Sequence, residues 1–254
     1  MIESFPLYNG SLQLEFDSRR HSYRIVHPNG RKFKVPSVTT VLGVISKPAL
    51  VPWAVNCAVD LCRASIVPGV EHSETFLDEV FKQAKGRARG IKEQAGATGH
   101  EVHNWIERYT RGEEPVLPSE GSQVRGGVDA FLLWLSQHTV EFIERERAVY
   151  SRRNRFSGRL DAVASVDGAL ALLDYKTSNG VYSEYILQAA GAYPLAYTEE
   201  TGTRLEKAII LHLRKDDGQF TAHEFDARTL KRAGGAFLSA LNLWRQLERL
   251  KKQL

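Results

Sequence analysis

The chain has 254 residues, of which 43% are hydrophobic and 25% charged, as is typical of a soluble globular protein with one large domain. Its formal net charge of +4 favours an anionic partner only mildly. Its two cysteines, Cys57 and Cys62, are too few for the four thiolates of an iron–sulfur cluster or a structural zinc site, so we expect free thiols. The first residues lack the pattern of a signal peptide, and no apolar run approaches the roughly 18 residues of a membrane span, so we expect a cytoplasmic protein without a membrane partner.

Alternating apolar and polar residues predict strands near the N-terminus, and apolar periodicity predicts helices after them. The predicted strands are Leu12–Phe16, Tyr23–Val26 and Phe33–Val35, and the predicted helices are a short one capped by Ser37, then Pro52–Ala64, Ser73–Lys92 and Ser119–Gln137. The run Gly96-Ala97-Thr98-Gly99 interrupts the helical pattern, and Thr98 with Glu101 forms a capping box. We therefore expect a new helix to begin at Thr98 and to carry His100, His103 and Glu107.

The second half of the chain alternates predicted strands with predicted helices. The strands are Val140–Tyr150, Gly158–Val166, Ala169–Tyr175, Ala208–Leu213 and Gln219–Phe225, and the helices are Tyr185–Glu199 and Ala227–Leu254. This order predicts an α/β fold with a mixed central sheet and helices on both faces. We expect a single domain over 1–254, with N-terminal strands and a helical elaboration over 1–95, a core over 96–225 and a C-terminal helix over 226–254.

The chain is organised around the stretch from Phe156 to Tyr193. Asp167-Gly168 is a strong two-residue turn signal between two apolar runs, so a β-hairpin is expected there. Asp161 lies on its first arm, and Asp174 and Lys176 lie two residues apart at the end of the second, on one face of the strand. Burying unpaired charges costs several kcal/mol. The pattern therefore favours a divalent-metal site built for phosphodiester chemistry.

Three interpretations of the predicted helix around His103 remain open. The first is a zinc site made by His100, His103 and Glu107, although the spacing is one residue short of the metalloprotease motif. The second is a partly exposed helix whose histidine is satisfied by a neighbour. The third is that His103 joins Asp161 and Asp174 on one Mg²⁺ or Mn²⁺, of which Mn²⁺ accepts an imidazole more readily.

Basic residues near the hairpin indicate contact with phosphate. Lys176 is either a surface residue or an ammonium that holds the attacking water or the scissile phosphate. The segment Arg145–Arg159 contains six arginines and one acid and leads directly into the hairpin. We interpret Arg152, Arg153 and Arg155 as nucleic-acid contacts.

The order of these motifs resembles that of the PD-(D/E)XK nuclease superfamily, and within it the RecB-type branch with its phage and mitochondrial genome maintenance exonucleases. The resemblance rests on Gly99-His-Glu-Val-His103-Asn-Trp-Ile-Glu107, Gly158-Arg-Leu-Asp161, Asp174-Tyr-Lys176-Thr-Ser and Gln188, and on the early segment Val35–Leu42. It covers roughly Val35 to Tyr193.

This resemblance implies a restriction-endonuclease-like core, with the mixed sheet flanked by helices and a helical N-terminal elaboration. It implies that His103, Asp161, Asp174 and the main-chain carbonyl of Tyr175 hold the metal. It also implies that Lys176 is the catalytic lysine and that Gln188, on the following helix, lies close to the site and the DNA backbone.

The chain departs from the family pattern in three places. Leu160 replaces the proline of the family name, and the four-cysteine cluster of several branch members is missing. The branch places a tyrosine four residues after the glutamine, but here Ala192 has that position and Tyr193 follows. On an α-helix, Tyr193 would lie about 140° around the axis from Gln188, so its role as a DNA contact depends on the local helix geometry.

Taken together, the sequence predicts a Mg²⁺- or Mn²⁺-dependent deoxyribonuclease, either an exonuclease or an enzyme acting on single strands, in DNA replication, recombination or repair. A non-catalytic nucleic-acid-binding module with the same fold is the alternative, although it has no need for His103, Asp161, Asp174 and Lys176 together. A zinc hydrolase is a third, which would require zinc and would not depend on Asp174.

Overall fold

The computed structural model describes residues 2–253 and divides into two compact units. One unit is the helical segment Ser46–Glu101, and the other combines the chain before this segment with the chain after it. Within the described residues, no helix is long and apolar enough to cross a membrane. Leu254, the predicted end of the last helix, lies outside the described residues.

The N-terminal strands of the larger unit form an antiparallel sheet of four strands in chain order. The strands are β1 (Ile2–Leu7), β2 (Leu12–Asp17), β3 (Ser22–Val26) and β4 (Lys32–Val35). Leu14 and Ile25 face each other across β2 and β3 and are fully buried, with Ala148 and Tyr150 in the same apolar cluster. The sequence predicted three of these strands and missed β1.

A five-stranded mixed sheet forms the centre of the same unit. Its strands are β5 (Val140–Ser151), β6 (Phe156–Val166), β7 (Ala169–Lys176), β8 (Lys207–Leu213) and β9 (Phe220–Asp226), in that spatial order. Only β7 and β8 run parallel among these neighbours in the described chain. Asp167 and Gly168 both have positive φ, at 54° and 85°, which confirms the predicted hairpin turn.

Helices cover both faces of this sheet, which confirms the predicted mixed α/β class. The helices of the chain are α1 (Val38–Leu42), α2 (Leu50–Ser65), α3 (Glu74–Thr110), α4 (Gln123–Gln137), α5 (Ser183–Ile186), α6 (Tyr193–Thr201) and α7 (Ala227–Lys251). Leu172 and Ile210 are buried with α1, α6 and α7 on one face, and Leu173 and Ile209 with α4 and the last turns of α3 on the other. Burying a side chain of this size stabilises the fold by roughly 1.5–3 kcal/mol.

The segment Ser46–Glu101 contains α2 and most of α3. Cys57 and Cys62 on α2 are not joined in a disulfide, as predicted. The predicted start of a new helix at Thr98 is wrong, because α3 continues without a break from Glu74 to Thr110. A glycine inside a helix costs only about 1 kcal/mol relative to alanine, and no proline removes a backbone donor from this run.

The single helix predicted over Tyr185–Glu199 is also wrong in detail. The chain forms α5, then a π-helical segment at Leu187–Ala192, and then α6. A π-helical segment accommodates one extra residue in a turn and changes which side chains share a face. This matters for the site, because the segment contains Gln188 and leads directly into Tyr193.

Candidate metal centre

Two carboxylates face each other across the β5–β6 hairpin. Arg147 pairs with Leu160 in the antiparallel ladder, so the preceding residue, Glu146, lies opposite Asp161. Glu146 has a φ of 46°, in the left-handed region that a residue with a Cβ rarely adopts, and it does so inside a strand of 12 residues. The hairpin therefore brings two acids together near its middle, with a strained backbone at one of them.

His103, on the last turns of α3, adds an imidazole to these two acids. One ligand atom each from His103, Glu146 and Asp161 lies within 4.8 Å of the others, and Nδ1 of His103 lies 3.7 Å from Oδ1 of Asp161. Ligands on opposite sides of Mg²⁺ are about 4.2 Å apart, because each bond is about 2.1 Å long. The three donors therefore lie within small side-chain movements of the spacing around one divalent cation, and nitrogen with carboxylate oxygen is a donor set that Mn²⁺ accepts.

Tyr175, near the end of β7, contacts two members of this donor group. The main-chain amide of Tyr175 donates to Oδ2 of Asp161 at 2.7 Å, and its ring packs edge-on against the imidazole of His103. The hydroxyl of Tyr175 is buried and has no hydrogen-bond partner among the described residues. Burial, with the charges of Asp161 and Glu146, raises its pKa well above the ordinary value.

Asp174 and Lys176 form a buried ion pair beside the donor group. Nζ of Lys176 lies 2.5 Å from Oδ2 of Asp174, and the side chain of Asp174 is only 1% exposed. Burial raises the pKa of Asp174 to about 7 even though Lys176 opposes it, and the charge of Asp161 adds to the rise. Oδ1 of Asp174 has no hydrogen-bond donor among the described residues. A buried carboxylate oxygen without a donor is a position that a cation can satisfy.

The ammonium of Lys176 is held in its charged form. Burial lowers its pKa, but the carboxylates of Asp174 and Asp161 outweigh that effect, so the pKa lies above the ordinary value. The ammonium also lies 5.0 Å from the centre of the Tyr185 ring. Lys176 is therefore a positive charge in a fixed position at neutral pH.

Glu146 is held in place mainly by one arginine. Its carboxylate lies 3.3 Å from Nε of Arg159, which also donates to the main-chain oxygen of Glu146. Burial raises the pKa of Glu146 to about 8, and the charge of Asp161 adds to the rise, while Arg159 and Arg111 oppose it. The environment of Glu146 thus disfavours a carboxylate that has no further cation.

The π-helical segment brings Gln188 and Tyr193 together. Nε2 of Gln188 donates to the hydroxyl of Tyr193 at 2.7 Å, although the two residues are five apart. A Cβ at Gly158 would lie 2.6 Å from the ring of Tyr193, so β6 approaches this ring closely. Tyr193 is only 3% exposed, so it is a buried residue that contacts Gln188 rather than a surface residue.

The six arginines of the run have different surroundings. Arg145 donates to the main-chain oxygen of Thr110, and Arg147 and Arg159 pair with acids. Arg152, Arg153 and Arg155 lie in the turn between β5 and β6 and are exposed. Five residues of strand, 147–151, or roughly 17 Å, separate this turn from Glu146, so these three residues lie outside the candidate metal centre.

The structure therefore arranges the predicted site residues as two adjoining groups. His103 and Asp161 belong to the donor group, while Asp174 and Lys176 form the neighbouring ion pair. Among the described residues, the donor atoms within 4.8 Å of one another come from His103, Glu146 and Asp161. This set does not include Asp174, nor His100 and Glu107 of the zinc interpretation.

Sequence reasoning missed Glu146. The signal that could have found it is the pairing register, since a hairpin with its turn at 152–155 places residue 146 opposite residue 161. The alternation of Glu144, Glu146 and positive residues along β5 gave no reason to choose one acid over the other.

Comparison with known proteins gives only weak similarity. No family model and no curated protein matches the chain. Among solved structures, the chain is similar to an alkaline exonuclease from Laribacter hongkongensis, with 15% identity over 61% of this chain and 84% of that one and a TM-score of 0.29. It is also similar to LHK-Exo in complex with dAMP, with 13% identity over 61% of this chain and 91% of that one and a TM-score of 0.25.

Proposed function

We propose that the chain is a divalent-metal-dependent nuclease that hydrolyses phosphodiester bonds in DNA. The observation that carries this proposal is a cation-sized group of nitrogen and carboxylate donors beside a buried carboxylate–ammonium pair. A structural ion pair has no need of the neighbouring donors, and a structural metal site has no need of a lysine. In phosphodiester hydrolysis, a cation can activate water and a further positive charge can stabilise the charge that develops on the phosphate.

His103, Asp161, Asp174 and the main-chain carbonyl of Tyr175 would hold Mg²⁺ or Mn²⁺. The fit is supported by the spacing of His103 and Asp161 and by the buried Oδ1 of Asp174, which has no donor among the described residues. A bound cation supplies positive charge to the phosphate oxygens and makes water a better nucleophile at neutral pH.

The protein groups next to the cation have separate tasks. Lys176 keeps its proton and stabilises the negative charge that develops on the phosphate in the transition state. Asp174 holds that ammonium in place through the ion pair. Gln188, fixed by the hydroxyl of Tyr193, positions the DNA backbone. Arg152, Arg153 and Arg155 attract the strand farther from the reacting phosphate.

The proposal includes a preference for DNA, action from an end or on single strands, and a task in replication, recombination or repair. To test it, the purified chain is incubated with labelled single-stranded, double-stranded and circular DNA and with RNA, in Mg²⁺, Mn²⁺ or EDTA. Asp174→Asn and Lys176→Met are compared with Asp216→Asn and Lys231→Met, which make the same changes at exposed positions.

We expect cleavage of linear DNA in Mg²⁺ or Mn²⁺, none in EDTA, and losses of at least about 10³-fold in the two site variants, because each removes charge stabilisation from the transition state. The two control variants should cleave as wild type does. No cleavage of any substrate in either metal would exclude the nuclease, and site variants that bind DNA and cleave it normally would remove Asp174 and Lys176 from the chemistry. A wild-type chain that binds DNA without cleaving it would favour the non-catalytic binding module.

A further inference from the structure

Glu146 occupies an unusual place among the acids of this chain. It stands in the middle of β5 with a left-handed backbone, opposite Asp161, and its side chain is 18% exposed. A left-handed residue in a strand turns its side chain away from the normal alternation and is retained only where the surroundings fix it. Here the surroundings include Arg159, which contacts both the carboxylate and the main-chain oxygen of Glu146, and the nearby His103 and Asp161.

The two arginines whose charges act on Glu146 are shared with other acids, because Arg159 also pairs with Glu3 and Arg111 with Glu107. His103, Glu146 and Asp161 bring their ligand atoms within 4.8 Å of one another, and Arg159 contacts only one of the two carboxylates. Two carboxylates this close avoid repulsion either by keeping a proton on one of them or by binding a cation between them.

A second observation, separate from this cluster, also points to a ligand at this place. Two buried polar atoms beside the cluster, Oδ1 of Asp174 and the hydroxyl of Tyr175, have no hydrogen-bond partner among the described residues. Both belong to the end of β7, whose amide at Tyr175 is bound to Asp161. Buried polar atoms without partners are uncommon in folded proteins, and a cation with its bound water would give these two atoms partners.

We infer that Glu146 is a ligand of the cation, together with His103 and Asp161. This inference rests on the proposed metal-dependent function, because it concerns the same cation. It adds a ligand from β5 that neither the motifs nor the family resemblance contains, and it gives the left-handed backbone a purpose. In the competing interpretation, Glu146 only neutralises Arg159 and does not bind metal.

Metal binding by the full chain distinguishes a Glu146 that binds the cation from a Glu146 that only neutralises Arg159. Mn²⁺ affinity is measured by calorimetric titration and by the electron paramagnetic resonance signal of free Mn²⁺, for wild type, Glu146→Gln and Glu141→Gln. The control removes one charge at an exposed position of the same strand. We expect Glu146→Gln to bind Mn²⁺ at least about 10-fold more weakly, as the loss of a metal-site residue does, and Glu141→Gln to bind as wild type does. Equal affinity of Glu146→Gln and wild type would overturn the inference.

Two further measurements keep the inference testable. If Glu146→Gln does not fold, Glu146→Asp is measured instead, because it keeps the carboxylate but shortens its reach; unchanged Mn²⁺ affinity in that variant would also overturn the inference. DNA cleavage is measured on the same preparations. If wild type binds Mn²⁺ more tightly than Glu146→Gln but cleaves nothing, the ligand stands and the nuclease fails. If wild type cleaves DNA while both bind Mn²⁺ equally, the nuclease stands and the ligand fails.

Discussion

Two clusters of acids lie along the β5–β6 hairpin, and they differ in what faces the acids. One is the candidate metal centre, formed by His103, Glu146, Asp161 and the Asp174–Lys176 pair. The other, which we name the hairpin clamp, joins the hairpin to α6 and to the turn after β1, and consists of Tyr8, Glu144, Arg147, Ser151, Glu199 and Glu200. Both contain several partly buried carboxylates within one unit of the fold.

In the hairpin clamp, the protein itself supplies donors to the acids. Glu199 accepts hydrogen bonds from the hydroxyls of Ser151 and Tyr8 and from the amide of Arg153. Arg147 pairs with Glu200 and with Glu144. In the candidate metal centre, by contrast, ligand atoms of two acids and a histidine lie within 4.8 Å of one another, and Oδ1 of Asp174 has no donor among the described residues. A buried carboxylate oxygen without a hydrogen-bond partner occurs in both clusters, at Oδ1 of Asp174 and at Oε2 of Glu200, so such an oxygen alone does not mark a functional site. What separates the clusters is the convergence of a histidine with two acids in the candidate metal centre.

The largest predicted effect is on DNA cleavage, and it should come from Asp161→Asn in the candidate metal centre. The amide keeps an oxygen that can accept from Tyr175 but removes the charge shared by both groups of the metal centre. We expect DNA cleavage to fall by at least about 10³-fold, with the melting temperature in EDTA within a few degrees of wild type. Activity within 10-fold of wild type would break the distinction between the clusters.

The opposite behaviour is expected of Glu199→Ala in the hairpin clamp. This change leaves the buried hydroxyl of Ser151 without its acceptor, which costs about 1–3 kcal/mol, whereas the amide of Arg153, on an exposed residue, can bind water instead. The free energy of unfolding, measured by urea titration, should fall by about 1–3 kcal/mol, while cleavage by the folded fraction is kept. Glu141→Ala, on an exposed part of β5, is the control. A stable Glu199→Ala variant without activity would place this acid in the chemistry instead.

The sequence predicted those parts of the fold and site that depend on short-range patterns. The turn at Asp167-Gly168 and the period-2 spacing of Asp174 and Lys176 are local, and the structure has both. Glu146 depends on the register of a long hairpin and on one left-handed residue, which tertiary contacts decide.

Helix continuity and helix type were equally inaccessible from the sequence. The glycines around Thr98 are tolerated because their cost is small beside the rest of α3. The π-helical segment at Leu187–Ala192 differs from an α-helix by one residue in one turn, which apolar periodicity does not resolve.

A smaller effect should appear in the pH dependence of stability without metal. The folded-state pKa values of Glu146 and Asp174 are raised to about 8 and about 7, from ordinary values of 4.5 and 3.8. A carboxyl whose pKa rises on folding stabilises the fold while protonated, and this contribution is lost as the pH rises through the folded value.

We therefore expect the melting temperature in EDTA to be lower at pH 8.5 than at pH 6, and Mg²⁺ or Mn²⁺ to restore it at pH 8.5. Glu146→Gln should show a smaller drop, because it removes one of the two titrating groups. Differential scanning calorimetry on wild type and this variant at both pH values is the measurement. If the melting temperature of wild type in EDTA instead rises from pH 6 to pH 8.5, the raised pKa values of Glu146 and Asp174 do not control the pH dependence of stability.

The smallest effect should come from Tyr193→Phe, which tests how the π-helical segment serves the metal centre. The extra residue of that segment lets Gln188 donate to the hydroxyl of Tyr193 across five positions, and the ring of Tyr193 is fixed by the close approach of Gly158. Losing the hydroxyl removes one hydrogen bond, worth about 0.5–1.5 kcal/mol, and leaves the ring in place. We expect kcat for DNA cleavage to fall about 3- to 10-fold, with KM and the melting temperature nearly unchanged, because Gln188 then loses its fixed orientation while the core keeps its packing.

Tyr182→Phe, at an exposed tyrosine before the same segment, should have no effect. A rise in KM without a change in kcat would instead assign Tyr193 to strand binding, the task that the sequence predicted for it.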